Sequence, residues 1–279
     1  MLGVILASIG AFFTELSSSI AKREVSRKRE SVYAMGFLNS LWEAFFFFVL
    51  IFFFRDIRTL TLAAWPTFLV RVVLSVFQAY LTVHAIAKSD RSTFGFIRTG
   101  TIPLLLLGDV WLGNLISPYQ ALGMLLIGFG LLFLYMNHGF SRRGIWFVVA
   151  GTVNAALTIG LYKYNITHGN SVEIEQFLVL LVLLAFFYVM SRSRFKEQPL
   201  RLLRKPLLAV QAGTIGASSL VESFAYVFAP ASVILAASRS SSVIFSVLSG
   251  RVLFHETHVI VKILSLVAFV GGIICLAIG

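Results

Sequence analysis

The 279-residue chain is 58% hydrophobic and only 13% charged, with a mean hydropathy of +0.90 and a formal net charge of +11. A soluble domain of this size cannot bury so many apolar side chains, so the composition excludes a soluble globular protein and predicts an integral membrane protein. Membrane topology explains the net positive charge, which does not indicate nucleic-acid binding.

Ten stretches are apolar and long enough to cross a bilayer as α-helices. In chain order they cover residues 2–21, 33–54, 62–87, 92–112, 118–136, 144–164, 173–191, 206–229, 231–253 and 258–278. The linkers between them are short, and the longest polar one is the basic segment from Ser191 to Lys205. The sequence therefore predicts an all-α membrane protein with ten transmembrane helices.

Glycine, proline and arginine residues recur at matching positions in the two halves of the sequence. The matched pairs lie 140 to 142 residues apart and include Gly3/Gly144, Gly10/Gly151, Pro66/Pro206, Arg98/Arg239 and Gly130/Gly272. Matched pairs at a nearly constant offset along the whole chain predict a first five-helix repeat over residues 1–140 and a second, inverted repeat over residues 141–279. Each half has an odd number of helices, so the copies must enter the membrane in opposite senses. Inverted repeats are typical of secondary transporters.

Lysine and arginine are distributed unevenly between the two predicted sides of the membrane. The side that holds the linkers after odd-numbered helices carries seventeen of them, counting Arg251 and Lys262 at helix ends, whereas the opposite side carries Arg55, Arg58 and Lys163. The positive-inside rule then places the odd-numbered linkers in the cytoplasm and both termini outside. We expect this membrane to be the plasma (inner) membrane of a bacterium or archaeon.

The last two helices of each half carry a second pattern, which consists of glycine, acidic and amide residues. Its residues are Pro103, Gly108, Asp109, Gln120, Gly123, Gly128 and Gly130 in the first half, and Gly250, Glu256, Gly271 and Gly272 in the second. With the ten helices, this pattern resembles the drug/metabolite transporter (DMT) superfamily, EamA type. Gln120 and Glu256 match the family pattern, whereas Asn114 and Lys262 depart from it. The resemblance implies a transporter with two inverted five-helix halves and leaves the substrate open.

Two arginines at equivalent repeat positions are the most informative candidates for a binding site. Arg98 lies on predicted helix four and Arg239 on predicted helix nine, so both approach the membrane midplane from opposite sides. Charged groups inside a bilayer are costly and usually face a cavity or a partner. Two guanidiniums there predict a bidentate clamp for a carboxylate or phosphate. The alternative is a structural role, in which each arginine pairs with a buried glutamate or snorkels to the surface.

Polar side chains recur at helical spacing on several otherwise apolar helices. Asn39 and Glu43 are four residues apart on helix two, and Gln78, Asn154 and Ser242 lie on helices three, six and nine. Convergence of these faces predicts a polar chamber. The substrate-binding candidates are Arg98, Arg239, Glu43, Asn154, Gln78 and Ser242.

Three glutamates are candidates for proton coupling. Glu43 lies close to the predicted midplane, where it would act as a proton carrier or as a static ion-pair partner of Arg98 or Arg239. Glu15 resembles the acid in the first helix of small multidrug transporters. Glu222 lies nearer the outer surface, as a rim or gate residue.

Neither a catalytic centre nor a cofactor site is expected from the motifs. The run His255-Glu256-Thr257-His258 lacks the spacing of a zinc-protease motif, so we interpret it as a solvated linker. No phosphate-cradling glycine loop or nucleophile elbow is found in the sequence. We therefore predict that the protein is not an enzyme and holds no metal.

The predicted function is a secondary transporter for a small anionic or zwitterionic metabolite, such as an amino acid or organic acid. In this hypothesis the mechanism is alternating access, the direction is export, and transport is coupled to protons. Efflux of cationic drugs, uncoupled movement through a channel or scramblase, and a membrane-embedded transferase for lipid-linked substrates remain open as alternatives. The expected partners are the lipid bilayer, the substrate and protons, in a monomer or homodimer.

Overall fold

The computed structural model describes residues 1–25, 31–53, 61, 64–88, 97–98, 100–136, 144–254 and 259–278. Within these ranges, only the backbone is described for some residues: 18–25, 86–87, 131, 134–135, 243, 246–254, 259–266 and 277. The described part contains ten α-helices: α1 Leu2–Val25, α2 Val32–Phe53, α3 Trp65–Lys88, α4 Thr101–Trp111, α5 Pro118–Met136, α6 Ile145–Thr167, α7 Val172–Phe195, α8 Pro206–Phe228, α9 Ala231–Phe254 and α10 Val259–Ile278. A 3-10 helix, Pro199–Arg204, joins α7 to α8.

The predicted all-α class is confirmed for the described residues, which contain no strand. Five of the described helices, α2, α3, α6, α7 and α8, are long and apolar enough to cross a bilayer. Large apolar side chains cover the outer surface, including Phe52, Phe53 and Leu125, each more than 70% exposed. Such a surface is unfavourable in water and favourable in the hydrocarbon core of a bilayer, which indicates a membrane protein.

The helix ends agree with the predicted stretches to within four residues, apart from the start of the fourth, which was predicted at residue 92, outside the described residues. Residues 97–98 are helical, Gly100 is a turn, and α4 begins at Thr101. Pro103 accounts for this start, because proline lacks an N–H and is tolerated in the first turn of a helix. The prediction placed Arg98 within helix four, whereas Arg98 precedes α4 as described.

Helices from opposite halves of the chain pack against each other in antiparallel pairs. Gly3 near the start of α1 lies against Ala225 near the end of α8, whereas Ser17 donates to the carbonyl of Gln211 near the start of α8 (3.0 Å). The pairs α2–α7, α3–α6 and α5–α10 run antiparallel in the same way. By contrast, α2 runs parallel to α8, and α1 runs parallel to α9.

These directions define two ends of the bundle. The odd-loop end is where α1, α3 and α7 finish and where α2, α6 and α8 begin. The even-loop end is the opposite one, where α6 finishes and α7 begins.

Two buried side chains hold the corner between α8 and α9. The carboxylate of Asp109, on α4, accepts hydrogen bonds from the backbone N–H groups of Ala231 (3.1 Å) and Ser232 (2.7 Å), at the start of α9. The ammonium of Lys163, on α6, donates to carbonyls at the end of α8, including that of Tyr226 (2.6 Å). Each charge satisfies orphan backbone groups and matches the sign of the helix dipole beside it. Lys163 is thus a buried residue of α6, although its charge was predicted to belong to the outer side.

Glycines form the contact between α5 and α10. A Cβ atom added at Gly123 would lie 2.7 Å from the backbone oxygen of Gly272, and one added at Gly130 would lie 3.1 Å from the Cβ atom of Ala268. Gly128, on another face of α5, has open space beside it. The small residues therefore permit close packing of two helix backbones within one chain, as in other membrane bundles.

Gly123→Ala is expected to destabilise the protein by about 1–3 kcal/mol, because the added methyl group meets backbone rather than a movable side chain. Gly128→Ala is the matched control: its methyl group has room, and alanine favours the helix. The measurement is the unfolding temperature of the two purified variants in the same detergent. Equal stability of the two variants would contradict the close α5–α10 contact.

Candidate functional site

A cavity of about 670 Å³ lies between α1, α2, α3, α6, α7 and α8. Thirteen of its twenty-three lining residues are polar, whereas the outer surface of the bundle is apolar. The polar lining residues are Ser17, Asn39, Ser40, Glu43, Arg71, Ser75, Gln78, Thr82, Arg98, Thr158, Gln176, Gln211 and Ser219. Of the six predicted substrate-binding residues, Glu43, Gln78 and Arg98 line this cavity.

The cavity extends from the odd-loop end towards the middle of the bundle. Met35 lines it near the start of α2, and Thr82 lines it in the last third of α3. At the other extreme, Arg71 and Gln176 belong to the second turns of α3 and α7 and lie towards the even-loop end. The cavity therefore reaches from the start of α2, at the odd-loop end, to these two residues.

Glu43 contributes a carboxylate to the cavity wall from the middle of α2. The hydroxyl of Ser219, on α8, lies beside it. Asn39, one turn earlier on α2, accepts a hydrogen bond from the amide of Gln211 (3.2 Å), which also donates to Ser17 (2.7 Å). Hydrogen bonds thus connect the polar stripe of α2 to α1 and α8 beside the cavity.

Asn154 supports the cavity wall rather than lining it. Its side chain is only 5% exposed, and its amide donates to the side-chain oxygen of Gln78 and to the carbonyl of Leu74, both at 2.9 Å. Gln78 in turn donates to Thr82 (3.1 Å). These bonds fix the orientation of the Gln78 amide, so Asn154 acts through Gln78.

Arg98 and Arg239 interact electrostatically, as expected for two arginines brought together from the two halves. Glu222, on α8, interacts electrostatically with both guanidiniums and lies beside Ser238. Only Arg98 of this group lines the cavity described above. Glu222 offsets part of the charge of the two arginines, in the direction of the predicted structural pairing, and the clamp stays a prediction.

The remaining predicted residues lie elsewhere. Glu15 and Ser242, both half-buried, are on α1 and α9 and are not part of the lining of this cavity. The run from His255 to His258 lies outside the described residues. In the described residues no group of three His, Cys, Asp or Glu side chains could hold a metal ion.

A buried polar layer separates the cavity from the even-loop end. Arg71 donates to the carboxylate of Glu175 at 2.6 Å and to the side-chain oxygen of Gln176 at 2.9 Å. The amides of Asn165 and Asn170 donate to the two oxygens of Glu175, each at 2.9 Å. Glu175 is fully buried and fully partnered. These five residues are called the Arg71–Glu175 layer.

Three parts of the site were missed in the sequence: Glu175 with Gln176, Gln211, and Ser219. A signal existed for Gln211, because it is the repeat counterpart of Arg71 at an offset of 140 residues. Glu175 and Gln176 are polar residues in the first turn of an otherwise apolar helix, where they could be taken for a solvated helix start. Nothing in the pattern around Ser219 distinguishes it from the other small residues of α8.

Comparisons with known proteins establish a shared fold. No protein-family profile matches the chain, and no curated protein matches it. Twenty-eight chains of solved structures do match. One of them, described only as the crystal structure of a protein, superposes with a TM-score of 0.76 over 96% of this chain and 95% of its own, at 15% sequence identity. At that identity the likeness extends to the fold alone.

Proposed function

We propose that this protein is a secondary transporter that moves a small organic metabolite across the membrane by alternating access. The observation that carries the proposal is the polar cavity: it lies inside an apolar bundle, extends from the odd-loop end, and stops at the Arg71–Glu175 layer. A polar site inside the bundle, bounded on one side by a buried layer, is what a transporter that works by alternating access needs.

We also propose that the ten helices all span the membrane as two inverted repeats. The helix directions support this, because α1 and α2 run opposite to their sequence counterparts α6 and α7. The contacts of matched glycines support it as well. Gly10 packs against Ser218, and its counterpart Gly151 packs against Gln78, which is the counterpart of Ser218 at an offset of 140 residues. Membership of the DMT superfamily, EamA type, is part of the same proposal.

The proposed orientation has the odd-loop end in the cytoplasm and both termini outside, in the plasma (inner) membrane of a bacterium or archaeon. In a Cys275→Ala background, Leu115→Cys reports on the even-loop end and Ser193→Cys on the odd-loop end, since both positions are exposed. An impermeant thiol reagent should label Leu115→Cys in intact cells, and Ser193→Cys only after permeabilisation. The reverse labelling would put both termini in the cytoplasm.

For the substrate we propose an anionic or zwitterionic metabolite, such as an amino acid or organic acid. Arg98 supplies a cationic group to the wall, Glu43 supplies an anionic one, and Gln78 and Gln176 supply amides that donate and accept. We propose export as the direction and proton coupling through Glu43. The second candidate is efflux of cationic compounds, which is supported by Glu43 together with the apolar wall of α7 formed by residues including Leu183 and Phe187.

A ligand screen by thermal shift separates these candidates. A true substrate at 100 times its dissociation constant is expected to add about 2.7 kcal/mol of stability. Proteoliposome flux of the hit, with and without a pH gradient, then distinguishes coupled transport from uncoupled movement. Stabilisation by cations alone would favour the second candidate, and absence of flux for every stabilising ligand would contradict the transporter proposal.

Arg98→Lys is expected to weaken binding of an anionic ligand about tenfold or more while leaving folding intact. Lysine keeps the charge but cannot provide the bidentate guanidinium fork. Arg192→Lys, at the exposed end of α7, is the matched control and should bind normally. The measurement is the ligand concentration that gives half of the maximal thermal shift. Unchanged affinity in Arg98→Lys would remove Arg98 from the binding site.

A further inference from the structure

The linker between α7 and α8 forms a basic surface at the odd-loop end. We call residues 192–205 the basic platform. Its six basic side chains are all exposed: Arg192, Arg194, Lys196, Arg201, Arg204 and Lys205. Both flanking helices are long and apolar enough to cross a bilayer. The platform therefore lies where the bundle meets the membrane surface.

The single acid of the platform is directed back into the protein. The carboxylate of Glu197 accepts hydrogen bonds from the hydroxyl of Ser31, just before α2, and from the hydroxyl of the buried Ser191 (3.4 Å). It therefore joins the platform to the start of α2, and the outward side of the platform keeps a concentrated positive charge.

The 3-10 helix Pro199–Arg204 gives this surface three distinct faces. With three residues per turn, side chains three apart lie one above the other. Pro199 and Leu202 are buried, and Leu202 packs into a cluster with residues of α2 and α8. The second face presents Leu200 (55% exposed) and Leu203 (41% exposed). The third presents Arg201 and Arg204, both exposed.

A leucine pair beside an arginine pair suits the region of a bilayer where the acyl chains meet the phosphate groups. Apolar side chains gain by entering the acyl region, and guanidiniums form charge-assisted, often bidentate, hydrogen bonds with phosphate oxygens. A dissolved phosphate compound would engage the arginines and leave the leucines in water. An anionic lipid surface engages both faces at once.

We propose that the basic platform binds the headgroups of anionic phospholipids in the leaflet at the odd-loop end. Arg201 and Arg204 contact the phosphates while Leu200 and Leu203 insert among the upper acyl carbons. Glu197 links this contact to α2, the helix that carries Glu43. The proposal requires a membrane and does not depend on transport.

The test uses the full-length protein reconstituted in phosphatidylcholine bilayers that contain a trace of spin-labelled phosphatidylglycerol or spin-labelled phosphatidylcholine. The measured quantity is the relative association constant of the two labelled lipids. Each basic residue close to an anionic surface strengthens binding by roughly fivefold. We expect a preference for phosphatidylglycerol that falls about fivefold to thirtyfold in the double variant Arg201→Gln/Arg204→Gln.

The matched control is Arg27→Gln/Lys28→Gln, which removes the same charge from another basic linker. Its preference for phosphatidylglycerol over phosphatidylcholine should fall clearly less than that of the platform variant. An equal loss in both would mean diffuse charge attraction and would overturn the proposal, as would a wild-type protein without preference. Displacement of the label by inorganic phosphate, but not by chloride at equal ionic strength, would identify a soluble phosphate as the ligand instead.

A second measurement guards against an unstable variant. The preference of the wild-type protein should fall steeply as salt is raised, because exposed charges are screened within about 10 Å at 0.1 M. A preference that does not respond to salt would overturn the proposal without any substitution.

Discussion

Glu43→Gln is expected to abolish substrate accumulation driven by a pH gradient while substrate exchange across a liposome membrane continues. Glutamine keeps the shape and the hydrogen-bonding capacity of the side chain, but it cannot release a proton. A carrier that cannot exchange its proton behaves as though permanently protonated. The coupling is lost, and movement of substrate between the two sides remains.

Proteoliposomes loaded with labelled substrate measure both activities on one preparation. Glu173→Gln, which alters an acid outside the cavity lining, is the matched control and should accumulate substrate normally. Glu15→Gln and Glu222→Gln test the two other candidate carriers. Normal accumulation by Glu43→Gln would exclude Glu43 as the coupling site and leave Glu15, Glu222 or uncoupled transport.

Glu175→Gln is expected to lower the free energy of unfolding by about 3–5 kcal/mol. The substitution leaves the guanidinium of Arg71 buried without its carboxylate, and a buried charge deprived of its partner carries the full desolvation cost. Such a loss is a large share of the total stability of a typical protein. The measurement is thermal or denaturant unfolding of the purified variant in detergent.

The control for this prediction lies one half-turn away. Glu173→Gln removes an acid from the same first turn of α7 and is expected to cost below about 1 kcal/mol, through the helix dipole alone. In the double variant Arg71→Gln/Glu175→Gln no charge is left unpaired, so its loss should be smaller than the sum of the two single losses by about 1 kcal/mol or more. If the losses were additive, the two side chains would not interact energetically.

Most of the helices were predictable, because an apolar run of about twenty residues crosses a membrane as an α-helix, which satisfies its own backbone hydrogen bonds. α5 was predicted at its observed bounds, and the start of α8 at Pro206 was also correct. The predicted start of the fourth helix at residue 92 lies outside the described residues, but the turn at Gly100 was missed because the apolar pattern was continued through Pro103. The rule that proline belongs in the first turn of a helix was available from the sequence and was the better guide.

The site was predictable where spacing along one helix decides which residues share a face. Glu43 and Gln78 were selected from such stripes, and both line the cavity. Spacing does not say which neighbouring helix a face meets. Asn154 was therefore predicted as a substrate contact, whereas it bonds to Gln78 from behind. For the same reason Glu175 was missed, since its importance comes from Arg71, which is 104 residues away.

The chemistry of the Arg71–Glu175 layer bears on how easily the protein would change conformation. A barrier made of tightly packed leucine and phenylalanine would expose apolar surface on opening, at about 25 cal/mol for each Å² wetted. A barrier made of hydrogen bonds exchanges its partners for water, and each bond to a charged group contributes about 1.5–3 kcal/mol net. Opening towards the even-loop end would thus replace these bonds with bonds to water at Arg71, Asn165, Asn170 and Glu175, and would expose little apolar surface. Two conformations of similar free energy let small differences in ligand affinity decide which one is populated.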